Sequence, residues 1–336
     1  MRLSALWVAA LLLVAALVAG GWFWSWAHTP LSYDTATVIR IPRGSGVRRI
    51  TTLLAGAGIL DDDLRFPLLA RLTGLGGRLR AGEFRLPPGL SPLALLHLLE
   101  RGEVVRHRVT VPEGWNVRQV ASFLAARNWV DADRFLALAR DRQFIRSLGL
   151  DEAGLEGYLF PDTYVLERGA TDERLVLTMM VSRFLAVWKE LAKDSHTGLS
   201  RHQVVTLASI VEKETAAAAE RPLIARVFLN RLARGMRLQS DPTVIYGLAG
   251  FDGNLTRRDL RTRTPYNTYV IPGLPPGPIC NPGRAALVAV LHPADSDVLY
   301  FVSRNDGTHQ FSRTLREHNR AVRRFQRARN RQQTKE

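Results

Sequence analysis

The first thirty residues carry a long run of apolar side chains. From Leu3 to Trp26 the run contains no charged residue, and about 20 such residues cross the ~30 Å hydrocarbon core of a bilayer as a helix. Small residues from Ala15 to Ala19 would also fit a cleaved signal peptide. The run continues beyond them into the aromatic sequence WFWSW, which suits a membrane boundary. The pattern therefore predicts a transmembrane anchor over residues 3–26.

Three later segments repeat one layout of polar and apolar positions. Each has a short alternating strand, a proline, a glycine two residues later, and then a helix with apolar positions on one face. Proline ends the hydrogen-bonding ladder of a strand, and glycine accepts the backbone angles of a tight turn. The layout predicts short strands with helices packed on one face. The turn residues and the expected helix caps are Pro42, Gly44 and Ser45; Pro87, Gly89 and Ser91; and Pro112, Gly114 and Asn116.

Helical spacing dominates the rest of the chain, with one long interruption. Between residues 236 and 284 the periodicity fades into segments rich in glycine and proline, and such loops often carry binding residues. One further strand is predicted at 298–304, so the overall prediction is an α+β fold. Helices are predicted from about Thr171 to Lys193, after Ser200, from Pro222 to near Gly235, over 284–291, and in the arginine-rich C-terminal segment.

The charge of the chain adds a question about polyanionic partners. The formal net charge is +15, and arginine supplies nearly all of the positive charge because only four residues are lysine. Arginine therefore serves as the general surface cation of this protein. The C-terminal arginines have a single aromatic neighbour, Phe325, which offers little for base stacking. We expect no nucleic-acid partner, and weak attraction to an anionic cell-wall polymer or to lipid headgroups stays open.

Two glutamates interrupt the apolar face of the helix predicted after Ser200. Glu212 and Glu214 lie in the segment VTLASIVEKET, among aliphatic side chains. A carboxyl group against hydrocarbon loses hydration, so its pKa rises and it becomes a proton donor near neutral pH. Residues i and i+2 of a helix point about 200° apart, so these two cannot act together on one substrate atom. The alternative is a core charge paired with Arg226, Arg231 or Arg237.

Five motifs in order along the chain carry a family resemblance. They are LEGYLFPDTY, LASIVEKET, RLQSDPTVIYG, YNTY and GLPPGPICNPG. Together they resemble the YceG-like (MltG) family of endolytic murein transglycosylases, and the resemblance spans most of residues 30–320. Within it, residues 35–104 are similar to a LysM-type glycan-binding module, with a spacer domain as the alternative. The resemblance implies a mixed α+β catalytic region over 105–320, followed by a basic tail over 321–336.

The resemblance also implies a location and a reaction. Such a protein is anchored in the inner membrane by a single span, and its catalytic region lies in the periplasm, where it cuts nascent peptidoglycan strands internally. The family's catalytic glutamate matches Glu214, which leaves Glu212 as a supporting residue. Protonated Glu214 would donate to the glycosidic oxygen between N-acetylmuramic acid and N-acetylglucosamine. Its carboxylate would then accept the proton of the C6 hydroxyl, which closes a 1,6-anhydro ring without a cofactor. Peptidoglycan synthases are the protein partners to expect.

Polar side chains of the irregular loops are the candidates for binding glycan, although a turn-stabilising role fits each of them equally well. Asp241 is also the best alternative second carboxylate, which would make the protein a hydrolase, and a non-catalytic peptidoglycan-binding scaffold is the remaining alternative. No HExxH spacing occurs and Cys280 is the single cysteine, so no metal is expected. The candidates are Gln239, Ser240, Asp241, Thr243, Tyr246, Asn267, Tyr269 and Asn281, with Tyr158 and Asp162 from the LEGYLFPDTY motif.

Overall fold

The computed structural model describes residues 2–194, 197–215 and 217–333. The helices are α1 Arg2–His28, α2 Val47–Gly56, α3 Arg65–Leu72, α4 Pro92–Arg101, α5 Val117–Ala125, α6 Ala132–Leu138, α7 Arg142–Ser147, α8 Glu173–Leu191, α9 Arg201–Glu214, α10 Arg221–Ala233, α11 Asp241–Gly247, α12 Arg284–Leu291 and α13 Leu315–Gln333. The strands are β1 Thr37–Ile41, β2 Gly82–Leu86, β3 Arg106–Thr110, β4 Thr163–Glu167, β5 Tyr300–Ser303 and β6 His309–Ser312. They form three two-stranded sheets, β1–β2, β3–β4 and β5–β6. The predicted α+β class is confirmed.

The first of two compact units comprises Met1–Val109 and Val165–Asp172. Its strands β1 and β2 pair antiparallel, with Thr37 opposite Leu86. Helices α2, α3 and α4 turn their apolar residues inward, so that Leu54, Phe66 and Leu95 are buried in one core with the inner face of the sheet. The likeness of residues 35–104 to a LysM-type module stays a prediction, as do the predicted domain boundaries.

The apolar helix predicted at the N-terminus is confirmed as α1. Its segment Leu6–His28 is long and apolar enough to cross a membrane, judged by length and composition. The last turns behave differently from the rest of the helix: Ala27 is buried, and Phe23 and Trp26 pack against the core of the first unit. The end of α1 is therefore built into this unit rather than joined to it by a free linker.

The three predicted turns have the expected backbone. Gly44, Gly89 and Gly114 have φ angles of 74°, 81° and 76°, a region that residues with a side chain adopt only with strain. Ser91 and Asn116 cap the following helices through their side chains. The prediction for Ser45 is wrong: the N-cap of α2 is Gly46, which has no side chain to offer, because the helix begins one residue later.

Helix α9 is the central helix of the second unit, which comprises Thr110–Tyr164 and Glu173–Glu336. Ser200 caps it in a reciprocal pair with Gln203. Every residue from Val204 to Val211 is buried, because α9 packs against α10, α11 and α12. The polar Ser209 is accommodated by hydrogen bonds, since its hydroxyl donates to the Thr206 carbonyl and accepts from the Ile279 amide.

Helix α11 and strand β6 are among the short elements that did not follow from the sequence pattern. Helix α11 lies within the segment where periodicity fades, and its seven residues are too few to establish a helical repeat. Strand β6 completes a hairpin with the predicted strand β5, with Tyr300 opposite Ser312. The other predicted helices are confirmed as α8, α9, α10, α12 and α13.

Candidate active site

Glu214 lies at the point where α9 ends. It is the last residue of the helix, and Thr215 continues in extended conformation with φ −146° and ψ 138°. Protein atoms surround the carboxyl group of Glu214 although the residue as a whole is only partly buried. Its Oε1 accepts a hydrogen bond of 2.5 Å from the hydroxyl of Ser240. The acid is therefore held at the end of a buried helix by one neutral donor.

Ser240 is itself fixed by a cluster of buried hydroxyl groups. Its amide donates to Thr268 Oγ1 at 3.0 Å, and its carbonyl accepts from Thr243 Oγ1 at 2.7 Å. The two threonine hydroxyls are 2.8 Å apart. Gln239, just before the serine, has a φ angle of 55°, which turns the chain into this arrangement. Contacts within the protein therefore hold the Ser240 hydroxyl in its orientation toward Glu214.

Burial raises the pKa of Glu214 to about 7. The hydrogen bond from Ser240 lowers this pKa because it stabilises the carboxylate, the negative charge of Asp241 raises it, and the positive charge of Arg231 lowers it. Among the described residues, Glu214 forms no ion pair. Arg231 does not pair with Glu214, because its guanidinium donates to the carbonyls of Leu238 and Leu299 at 2.7 and 2.8 Å.

Asp241 and Tyr269 form a second polar pair beside the acid. The Tyr269 hydroxyl donates to Asp241 Oδ1 at 2.6 Å, and Arg237 donates to the Tyr269 carbonyl at 3.1 Å. Asp241 is exposed at the start of α11. The structure therefore brings together five of the residues singled out in the sequence, namely Glu214, Ser240, Asp241, Thr243 and Tyr269.

Glu212 has a different environment from Glu214. Its Oε1 accepts from Arg221 at 3.1 Å and its Oε2 accepts from the Gly283 amide at 2.9 Å. Burial raises the pKa of Glu212, and the Gly283 hydrogen bond and the charge of Arg221 oppose that rise. The ion pair expected for a core glutamate therefore belongs to Glu212. Its partner is Arg221. The prediction that Arg226, Arg231 or Arg237 would pair with such a glutamate is therefore wrong.

A cavity of about 800 Å³ opens near the end of α9. Its lining includes Lys213 and Pro242, the chain neighbours of Glu214 and Asp241, together with Arg118, Glu156 and Tyr246. A cavity of this size accommodates a ligand of several rings. The polar groups around it suit a polar, hydrogen-bonding ligand.

Glu156 is a second carboxyl group with a displaced pKa, and the sequence reasoning missed it. Burial raises the pKa of Glu156 to about 7, against hydrogen bonds from the Val117 amide and from Tyr246. These donors lie 3.1 Å from its carboxylate oxygens. The clue was available, since Glu156 is the acidic residue at the start of the LEGYLFPDTY motif, directly before a glycine.

The remaining candidates are used inside the protein. The amide of Asn281 is bonded at both ends, because Oδ1 accepts from Gly157 and Leu159 and Nδ2 donates to the Trp115 carbonyl. Asn267 is a similar buried connector of its own loop, since Nδ2 donates to three carbonyls between residues 259 and 262. Tyr158 is fully buried and its hydroxyl lies 3.0 Å from His202 Nδ1. Asp162 pairs with Arg183 at 2.7 Å.

The chemistry available here is proton transfer by carboxyl groups. Over residues 2–194, 197–215 and 217–333, no group of three or more His, Cys, Asp or Glu side chains is placed to hold a metal ion. Two carboxyl groups have a pKa near neutrality, Glu156 on the wall of the cavity and Glu214 at the end of α9. Such groups at a cavity for a polar ligand are the arrangement of an enzyme that works by general acid–base catalysis.

Comparison with known proteins identifies the family. The model of the YceG-like family matches residues 39–324. The endolytic murein transglycosylase of Bacillus subtilis (strain 168) is 32% identical over 316 residues, which is 88% of this chain and 87% of that protein. The protein of the same name from Streptococcus pneumoniae (strain ATCC BAA-255 / R6) is 31% identical, and the match covers 93% of this chain but 63% of that longer protein.

The fold comparison agrees with the sequence comparison. A crystal structure of a yceG-like protein from Listeria monocytogenes matches with a TM-score of 0.58 and 32% identity, over 86% of this chain and 99% of that chain. This chain therefore belongs to the YceG-like family, and the resemblance expected from its motifs is confirmed.

Proposed function

We propose that this protein is an endolytic murein transglycosylase with Glu214 as its catalytic acid and base. The observation that carries the proposal is the state of Glu214, a carboxyl group with a pKa of about 7 whose hydrogen-bond partner is the neutral hydroxyl of Ser240. Its relatives in Bacillus subtilis and Streptococcus pneumoniae bear the name endolytic murein transglycosylase. Peptidoglycan strands are accordingly the proposed substrate.

A single carboxyl group suffices for this reaction because the substrate supplies its own nucleophile. Protonated Glu214 donates its proton to the oxygen that links N-acetylmuramic acid to N-acetylglucosamine as the bond from C1 to that oxygen breaks. The resulting carboxylate then accepts the proton of the C6 hydroxyl of the same muramic acid, and O6 bonds to C1. The intramolecular nucleophile is already close to the reacting carbon. The acid ends the cycle protonated, and no water is consumed.

Neighbouring groups allow Glu214 both to donate a proton and to accept one. Burial favours the protonated form that must donate, while the Ser240 hydrogen bond stabilises the carboxylate that forms next. Asp241 acts through its charge, and its hydrogen bond with Tyr269 fixes the position of that charge. In this proposal Ser240 and Asp241 are positioning and tuning residues, and no second carboxylate activates water.

The cavity lined by Glu156, Tyr246 and Lys213 is the proposed binding site for the sugar rings. Arg118, Gln119 and Tyr246 on its wall offer donors for hydroxyl and acetamido groups and for the lactyl carboxylate of muramic acid. Glu156 holds Tyr246 in place through its hydrogen bond. A glycan strand that continues on both sides of the cleaved bond would lie across this wall, as cleavage within a strand requires.

The location proposed for the enzyme is the inner membrane. Helix α1 is the single-pass anchor, and the second unit lies on the periplasmic side, where peptidoglycan is found. The apolar segment Leu6–His28 supports the anchor. A LysM-like role of residues 35–104 in holding glycan, and an association with peptidoglycan synthases that make the nascent strand, belong to the same proposal.

Analysis of the reaction products tests the proposal. Purified full-length protein is incubated with uncrosslinked glycan strands, and the fragments are examined by mass spectrometry. We expect oligosaccharides of intermediate length that end in 1,6-anhydro-N-acetylmuramic acid. They are about 18 Da lighter than the hydrolytic product, because hydrolysis adds one water across the cleaved bond and this reaction adds none. Reducing ends would instead indicate a hydrolase in which Asp241 activates water. Intact strands would indicate a binding scaffold.

The pH dependence of cleavage should move in opposite directions in two variants. Because Glu214 must be protonated to donate, the rate is expected to fall as the pH rises through about 7. Ser240→Ala removes a bond that stabilises the carboxylate, so the pKa of Glu214 rises and the fall in rate moves to higher pH. Asp241→Asn removes a negative charge that raises this pKa, so the fall moves to lower pH. Initial rates across the pH range measure both shifts, and a shift of both variants in one direction would contradict the assignment.

A further inference from the structure

Helix α3 leaves a stripe of leucine side chains uncovered. Leu64, just before the helix, is 72% exposed, and Leu68 and Leu72 are 46% and 69% exposed. They are spaced four residues apart, which places them within about 80° of one another around the helix axis. Among the residues whose burial is described, no other element after α1 leaves more than one large hydrophobic side chain exposed. This surface is called the leucine stripe below.

The stripe belongs to a helix that is firmly packed on its other side. Phe66, Leu69 and Ala70 of α3 are buried in the core of the first unit. Turning α3 to hide the leucines would expose Phe66, which is fully buried now. The leucine stripe is therefore an outward face of the folded unit, and only an external partner can cover it.

The position of α3 points to that partner. The guanidinium of Arg65, the first residue of α3, lies 5.0 Å from the ring centre of Trp26 and 5.9 Å from that of Trp22. Asp61 and Asp63 hold the same guanidinium at 2.5 Å each. These contacts place the start of α3 against the C-terminal turns of α1.

The C-terminal turns of α1 lie where the hydrocarbon core of the bilayer should end. A span that begins at Leu6 and needs about 20 residues to cross the hydrocarbon reaches its far boundary near Ser25. Trp22 and Trp24 are exposed there, and tryptophan favours the level of the lipid headgroups. Phe23 and Trp26 on the other side of α1 pack into the first unit. The unit that carries α3 is thus in direct contact with the segment of α1 at the membrane surface.

We propose that α3 lies in the headgroup region of the same bilayer that α1 crosses, with the leucine stripe turned toward the acyl chains. Exposed leucines beside a membrane exit, with arginine at both ends of the helix, are the features of an interfacial helix. Arg71 is exposed on the stripe side of α3, and it is available to lipid phosphates. The first unit is then held at two points, by the span and by α3, so that it cannot tilt freely about α1. This inference needs α1 to cross the membrane, and it is independent of the reaction at Glu214.

Fluorescent labelling of single cysteines tests the contact with lipid. The one native cysteine, Cys280, is buried, so an added cysteine is the main site of labelling, and the labelled parent protein gives the background. Full-length Leu68→Cys and Leu72→Cys proteins are labelled with an environment-sensitive dye and placed in nanodiscs of phosphatidylethanolamine and phosphatidylglycerol. Quenching is measured with headgroup-proximal nitroxide lipids and with aqueous iodide.

Two further positions calibrate the result. Leu315→Cys, at a residue 55% exposed on α13 of the second unit, is the matched surface control, and Leu17→Cys, in the middle of α1 and 68% exposed, reports whether the span is inserted. We expect the dyes at 68 and 72 to be quenched several-fold more by nitroxide lipid than the dye at 315, and correspondingly less by iodide. With position 17 quenched by lipid, iodide quenching at 68 and 72 equal to that at 315 would overturn the proposal. Shielding from both quenchers would also overturn it, because a protein surface would then cover the leucines.

Discussion

Replacing Glu214 with glutamine is expected to lower the rate of glycan cleavage by about 10²- to 10⁴-fold, the usual contribution of a general acid–base group. Glutamine has the same shape, and its side-chain oxygen can still accept the hydrogen bond from Ser240 that Glu214 accepts now. Its amide is neither acidic enough to protonate the leaving oxygen nor basic enough to accept the proton of the C6 hydroxyl, so neither step is catalysed. The measurement is the initial rate of formation of anhydro-ended fragments, followed by mass spectrometry.

Glu156→Gln is the matched control for this variant. Both residues are buried carboxyl groups with a pKa of about 7, so the two substitutions remove equivalent charges. Because Glu156 holds Tyr246 on the cavity wall, we expect its loss to raise KM while kcat falls far less than in Glu214→Gln. Equal losses of kcat in the two variants would place the acid at either position, and normal cleavage by Glu214→Gln would remove Glu214 from the reaction altogether.

Replacing Glu212 with alanine should damage the fold rather than the chemistry. The side chain of Glu212 is 6% exposed and that of Arg221 is 11% exposed. The substitution leaves the Gly283 amide without its acceptor, and it leaves the buried guanidinium with only the half-exposed Glu113 carboxylate, 3.8 Å away. Breaking a buried pair in this way costs about 3–5 kcal/mol of unfolding free energy. The cost is measured from the midpoint of chemical unfolding followed by circular dichroism, with the protein in detergent.

Two comparisons make this test specific. The double variant Glu212→Ala with Arg221→Met should lose less stability than the sum of its single variants, because no unpaired charge remains. Glu190→Ala breaks the pair with Arg284 on the surface, where both side chains are about half exposed, and should leave the midpoint nearly unchanged. Additive losses in the double variant would show that Glu212 and Arg221 do not stabilise the fold as a pair.

Local features of the sequence predicted most of the elements. The apolar run of α1, the helical repeat of α9 and the turns at Gly44, Gly89 and Gly114 each depend on a few neighbouring residues, and each is found in the structure. Helix α11 was not predicted, because seven residues that begin with Asp-Pro leave no measurable repeat. The failure at Ser45 is of the same kind, since the exact first residue of a helix is poorly fixed by sequence.

The candidate site was predictable only in part, because its character comes from contacts between distant residues. Helical spacing placed Glu212 and Glu214 on opposite sides of α9 but could not say which one is paired. The answer depends on Arg221 and Gly283, 9 and 71 residues beyond Glu212. Likewise, Ser240 meets Thr268 across 28 residues, and no periodic pattern connects them. The family resemblance implies that Glu214 is the catalytic residue, and the structure adds that Glu214 is bonded to a neutral hydroxyl whereas Glu212 is paired with Arg221.

The amide of Asn281 has a consequence for the order in which the molecule is built. The Asn281 amide bonds to Gly157 and Leu159, which lie next to Glu156 and 124 and 122 positions earlier in the chain. It also bonds to Trp115, 166 positions earlier. During synthesis, the segment around Glu156 emerges from the ribosome long before Asn281 does. Pairings across such distances are slow to form. We therefore expect the cavity wall around Glu156 to be among the last parts of the molecule to fold.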